Sequence, residues 1–238
     1  MTKHILFLAV AAFAIGCSPK YYSPNTQNVP LLSQKGELNL TAAGNSNQVE
    51  FQGAYAITNS FAVQANGGLF NPKDQDNGDG GSGKFIEIGA GYYNPISEKI
   101  IFELYGLAGS GSVENDLRSR ATSNPTTTGK ISADIFRFGI QPNIGFKSKY
   151  FTAALSSRIV NLRYSNIDGS LIYDGADQEN YLRDNNSNFL IEPALTIRGG
   201  VDLIKVQFQI GHSFNLSNSS FRQDNTYATI GLNFRLAK

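Results

Sequence analysis

The stretch KVQFQIGHSF, residues 205–214, alternates polar and apolar side chains almost without interruption. Lys205, Gln207, Gln209, Gly211 and Ser213 share one parity; Val206, Phe208, Ile210, His212 and Phe214 share the other. Successive side chains of a strand point to opposite faces, so this pattern is a strand with one apolar face. The alternation recurs in Ala228, Ile230, Leu232, Phe234 and Leu236, in Phe189, Ile191, Pro193, Leu195 and Ile197, and in Phe136, Phe138, Ile140, Ile144 and Phe146. Earlier runs carry Val49, Phe51, Tyr55 and Ile57, then Phe61, Val63 and Leu69, then Ile86, Ile88 and Tyr92. Ten strands are predicted, over 36–44, 47–57, 61–70, 84–93, 99–113, 130–146, 150–165, 188–199, 202–216 and 225–236. In the seventh the phase slips near Ile159–Val160, which predicts a bulge.

The connections sort into two kinds. After strands two, four, six and eight they are tight (TNS, NPISE, KSK, GGV); after three, five, seven and nine they are long and polar. Only the first hairpin, GNSN, is short where a long loop is expected. Segregated loop lengths and an even strand count predict an all-β fold: a ten-stranded antiparallel up-and-down transmembrane β-barrel with short periplasmic turns and long extracellular loops. Composition agrees, with 24 Gly, 16 Phe, 11 Tyr and no Trp. After residue 17 no apolar run approaches the roughly 20 residues of a spanning helix. A net charge of +1 gives no electrostatic reason for a nucleic-acid partner.

The polar parity decides which side faces water. It carries Glu37, Glu50, Glu87, Glu103 and Glu192 against Arg137, Arg158, Arg198, Lys205 and Arg235, interspersed with Gln52, Gln64, Asn66, Gln141, Asn143, Gln207 and Gln209. Arginine and glutamate lead where a soluble surface favours lysine, and the guanidinium fork suits carboxylates in confined space. These groups are therefore expected in a narrow lumen, with the apolar parity against lipid. Five acids matched by five bases predict a salt-bridge network that closes a bore little wider than that of an eight-stranded barrel. An open porin is disfavoured.

The N-terminus reads as an export signal: Lys3 and His4 precede the apolar ILFLAVAAFAIG. AIGC resembles a bacterial lipobox, which implies cleavage after residue 16 and lipidation of Cys17, the chain's single cysteine. Residues 17–35, with SPKYYSPNTQNVPLLSQ at 18–34, read as a tether between lipid and barrel, and 36–238 as the barrel. No acidic cluster follows Cys17, so the anchor is expected in the periplasmic leaflet.

His212 is the one histidine beyond the signal and falls on the lipid-facing parity near the loop end. GHSFNLSNSSF resembles the lipid A deacylases, whose His-x-Ser spacing puts base and nucleophile on one face. Here Ser213 adjoins His212 and points into the lumen, while Phe214 takes the same-face position, so an imidazole at headgroup level held by water or phosphate is expected instead. The likeness to omptin proteases stops at strand number. DQDNGDGGSG, 74–83, departs from a calcium loop: Gly78 stands where a donor is needed and Phe85 where the bidentate acid should be. Loop 166–187 mixes Leu171, Ile172, Tyr173 and Tyr181 with charges; it makes either a surface for another outer-membrane protein or packing over the barrel mouth.

Taken together, YYSPNTQNVPLLSQKGELNL behind its lipobox and the terminal IGLNFRL resemble small lipidated outer-membrane barrels of Bacteroidota. The resemblance implies residence and fold, not activity. The expected function is a non-enzymatic, charge-plugged barrel lipoprotein (acylated by chains such as palmitate) in contact with outer-membrane lipid, structural or accessory to a larger complex. An outer-leaflet lipid-modifying enzyme and a narrow channel are the alternatives. No cofactor and no metal site is expected.

Overall fold

The computed structural model describes residues 18–71, 79–121 and 124–236. Ten strands build the barrel: β1 Leu38–Gly44, β2 Gln48–Ala56, β3 Phe61–Phe70, β4 Gly80–Pro95, β5 Ile100–Asp116, β6 Lys130–Lys147, β7 Phe151–Gly169, β8 Ser187–Gly200, β9 Ile204–His212 and β10 Thr226–Leu236. Phe214–Asn215 prolongs β9 beside β8. Each strand runs antiparallel to its neighbours, and β10 pairs with β1 from Leu38 opposite Leu236 to Gly44 opposite Ile230. The sheet therefore closes and leaves no free edge, which removes unpaired backbone groups from the wall. Strand β4 begins earlier than predicted because Gly80–Gly83, taken from the sequence as loop, pair with Val113–Asp116 of β5.

The two parities take opposite environments. Phe51, Ile86 and Ile230 are 66%, 69% and 64% exposed, and exposed large apolar side chains recur on every strand. Lys205, Gln207 and Gln209 are buried, whereas Val206, Phe208 and Ile210 are exposed, which answers how KVQFQIGHSF is oriented. An apolar patch of a few hundred Å² is already large for a protein in water. A belt around a whole barrel suits hydrocarbon. No described helix is long and apolar enough to cross a membrane, so any crossing is made by strands.

The slip predicted at Ile159–Val160 is not there. Strand β7 pairs without interruption across both residues, and its even-numbered side chains from Thr152 to Tyr164, Arg158, Val160 and Leu162 among them, point inward. The sequence misled because the upper bore is apolar: Val160 and Leu162 belong to a core with Val113, Ile131, Ile135 and Phe221. The real irregularity lies where Ser132 pairs with Asp168 but Asp134 with Ser165, beside Asn166 in the left-handed region at φ 49°.

Tight turns at 57–60, 96–99, 148–150 and 201–203 mark one end of the barrel. At the other end loop 170–186 folds into a two-residue hairpin and helix α1, Gln178–Asp184, capped by Asp177. Leu171 and Leu182 are fully buried over the mouth, so packing, one of the two roles left open for this loop, is realised.

A charge on the outer belt should cost most at mid-depth. Ile88→Arg, in the middle of β4, is expected to destabilise the lipid-folded barrel by about 2–4 kcal/mol, against about 0–1 for Tyr150→Arg in a short turn. Urea unfolding in lipid vesicles measures both.

Candidate functional site

A β-barrel interior presents rows of inward side chains, and here Lys147 and Glu37 meet across the bore at the short-turn end, while the space between most of the others is occupied. The space is filled by the chain's own N-terminal segment. Residues 21, 22 and 26–32 are buried, and the segment runs from the long-loop end to the short-turn end. At the first end Lys20 N donates to Asn115 Oδ1 at 3.0 Å and Tyr21 N to Arg222 O at 2.9 Å. At the second, Ser33 N donates to Glu37 Oε2 at 2.9 Å and Gly36 N to Ala56 O at 2.9 Å. The eleven steps from Tyr22 to Ser33 reach at most about 36–40 Å, enough to cross a hydrocarbon layer of about 30 Å. The predicted tether outside the barrel is thus corrected: 18–34 is a plug inside it. An extended chain has no internal partners for its N–H and C=O groups, and an amide-lined bore supplies them.

The wall reads the plug backbone atom by atom. Glu50 accepts from Thr26 N at 2.9 Å, Gln209 Oε1 from Gln27 N at 2.7 Å and Glu103 from Leu32 N at 2.9 Å. In return Gln52 donates to Thr26 O, Gln209 to Gln27 O and Gln141 to Asn28 O, at 2.7, 2.9 and 2.7 Å. Lys147 Nζ reaches Leu31 O at 2.6 Å. Gly145 makes room for the crossing, since a Cβ there would sit 2.6 Å from Leu31 Cδ1.

At mid-depth the plug joins an ionic cluster. Arg137 pairs with Glu87 at 2.7 Å and Arg158 with Glu192 at 2.8 Å. Tyr22 sits between the pairs: its hydroxyl donates to Glu192 at 2.8 Å and accepts from Arg137 Nη1 at 2.6 Å. Asn25 Oδ1 accepts from both guanidinia, at 2.9 and 2.8 Å. Phe85 stacks under Arg137, 4.4 Å from ring centre to Cζ.

All ten lumen charges named from the sequence face the bore, but they do not form five pairs. Glu87, Glu192 and Glu37 pair with Arg137, Arg158 and Arg235, while Glu50 and Glu103 are held by plug amides and side-chain amides. Arg198 donates to Gln207, and Lys205 to Ser148 O and Thr152. The one-to-one network is replaced because backbone N–H groups of the plug satisfy carboxylates that cations were expected to satisfy. Sequence reading missed Lys147, which pairs with Glu37 at 2.6 Å, and missed the plug itself. The signal was present in YY and VPLL, apolar pairs that a solvated tether has no reason to carry.

His212 lies outside this assembly. Its Nδ1 is 2.8 Å from Thr226 Oγ1 on the adjacent strand and its ring is 4.3 Å from that of Phe214, where water or phosphate was expected as its holder. Ser213 is 1% exposed and turned inward, accepting from Gln223, so histidine and serine point to opposite sides of the wall. Cys17, the signal segment and residues 74–78 of the calcium-like loop lie outside the described residues. Among the described residues no cluster of metal-ligating side chains occurs.

No protein-family model matches the chain, and no curated protein sequence does. Solved structures similar to it include a KdgM porin (8% identity, TM-score 0.37), a NanC porin (9%, 0.40) and LpxR from Salmonella typhimurium (8%, 0.35). The alignments cover 84%, 84% and 85% of this chain and 99%, 99% and 100% of those chains. Scores this low carry nothing about what this chain does; the pairing of its strands establishes the barrel by itself.

Removing one partner of a buried pair strands the other. Glu87→Ala is expected to lower stability by about 3–5 kcal/mol, and the double variant Glu87→Ala/Arg137→Met to recover part of the loss. Tyr22→Phe, which unpairs only a hydroxyl, should cost about 1–3 kcal/mol. Urea midpoints in lipid vesicles give all three.

Proposed function

We propose that the protein is a non-conducting, non-enzymatic outer-membrane barrel, a structural or accessory subunit whose bore is sealed by its own residues 18–34. The observation that carries this reading is the continuous plug, hydrogen-bonded to the wall along its length and capped by Leu171 and Leu182 at one mouth. The apolar belt supports residence in the outer membrane, with short turns toward the periplasm and long loops outward. Residues 26–32, buried and hydrogen-bonded to the wall, close the solute path along the membrane axis, and the cavity beside Tyr22, Asn25, Glu50 and Phe85 lies toward the long-loop end.

The same reading moves the lipid anchor. Ser18 stands at the long-loop end, two residues before Lys20, whose backbone N–H donates to Asn115. An acyl group on Cys17 would enter the outer leaflet, in place of the periplasmic leaflet expected from the sequence. Fixed there, it would also resist withdrawal of the plug toward the periplasm.

Planar bilayers test the sealed bore: full-length protein should give no conductance steps, and deletion of 18–34 should give them. Regular steps from the full-length chain would end the proposal. An epitope placed directly after Cys17 should be reached by antibody on intact cells; detection only after the outer membrane is opened would reverse the orientation.

A further inference from the structure

At the short-turn end Lys147, Arg198, Lys205 and Arg235, together with Asp202, surround a small cavity with room for about one water-sized sphere, closed on one side by Pro30 and Leu31 of the plug. Two of these cations have carboxylates. Lys147 lies 2.6 Å from Glu37, and Arg235 bridges Glu37 at 2.8 Å and Asp202 at 3.0 Å. The other two make only neutral contacts among the described residues. Lys205 Nζ donates to Ser148 O at 2.8 Å and Thr152 Oγ1 at 3.2 Å. Arg198 Nε donates to Gln207 Oε1 at 2.7 Å, yet its Nη2 has no partner although the residue is only 2% exposed. Gln207 Nε2, on the neighbouring strand, is a second buried donor without an acceptor.

An unpartnered guanidinium N–H among four cations that share only two carboxylates at the cavity, Glu37 and Asp202, defines the missing group. It must accept hydrogen bonds and it must be negative. Water meets the first requirement only, and a guanidinium buried without a counter-charge is among the most costly arrangements a protein interior can hold. We propose that this cavity binds a small inorganic anion of chloride's size, held by Arg198 Nη2 with Lys205 completing the charge balance. The wedge between plug and wall is too narrow for a sugar acid or a phosphate ester. Because Pro30 and Leu31 form one side, the anion would lock the short-turn end of the plug against β8 and β9.

Full-length protein in lipid vesicles is unfolded with urea in sodium chloride and in sodium gluconate at equal ionic strength. A saturable rise of the midpoint with chloride alone is expected, and its loss in Arg198→Gln. Lys205→Gln, at the more accessible cation, should weaken the chloride dependence several-fold and serves if Arg198→Gln does not fold. Crystals soaked in bromide should show an anomalous peak beside Arg198. Equal midpoints in the two salts, a dependence unchanged in the variants, or water alone at that position would overturn the assignment.

Discussion

An extended peptide in a membrane-spanning bore is tolerable only if every amide and carbonyl finds a partner, and this requirement governs the molecule. The wall meets much of it with Glu50, Gln52, Glu103, Gln141 and Gln209, each directed at the backbone of residues 26–32. The polar parity of the strands is thus a template for one particular chain. Its carboxylates tolerate burial because N–H groups and guanidinia reach them, and its amides serve as donor and acceptor at once, as Gln209 does for both sides of Gln27. Hydrophobic layers close the ends: Tyr21, Tyr164 and Phe221 beneath the cap, and Leu32, Tyr93 and Tyr105 below.

This arrangement separates the two solvents of the protein. Outside, where lipid offers no hydrogen bonds, the strands satisfy one another around a closed ring. Inside, the wall satisfies the plug. β1 follows the plug within a few residues and pairs with β10, so ring closure and plug capture are linked in one topology. The ionic cluster at mid-depth ties them further, because Tyr22 and Asn25 of the plug are partners of the same guanidinia that pair with Glu87 and Glu192 on the wall.

The barrel was legible in the sequence because a period of two survives wherever one face meets hydrocarbon and the other meets polar groups. Val206, Phe208 and Ile210 could be oriented from spacing alone once Glu and Arg were seen to dominate the opposite parity. That rule failed where both sides of the wall are apolar: Val160 and Leu162 look outward-facing by chemistry but line the upper core. The plug was illegible for a different reason. An extended segment buried on all sides has no periodicity, so TQNVPLL looks like a solvated linker until the amide-rich bore around it is considered. The pairing of charges was likewise not fixed by counting, since backbone N–H groups compete for carboxylates and carry no signature in composition.

Capture of the plug is measured by hydrogen exchange of its backbone in the folded, lipid-embedded protein. The amides of Thr26, Gln27 and Leu32 should exchange as slowly as those of the barrel strands, opening only when the barrel does. Exchange of those three amides at the rate of a free peptide, with the strands still protected, would contradict it.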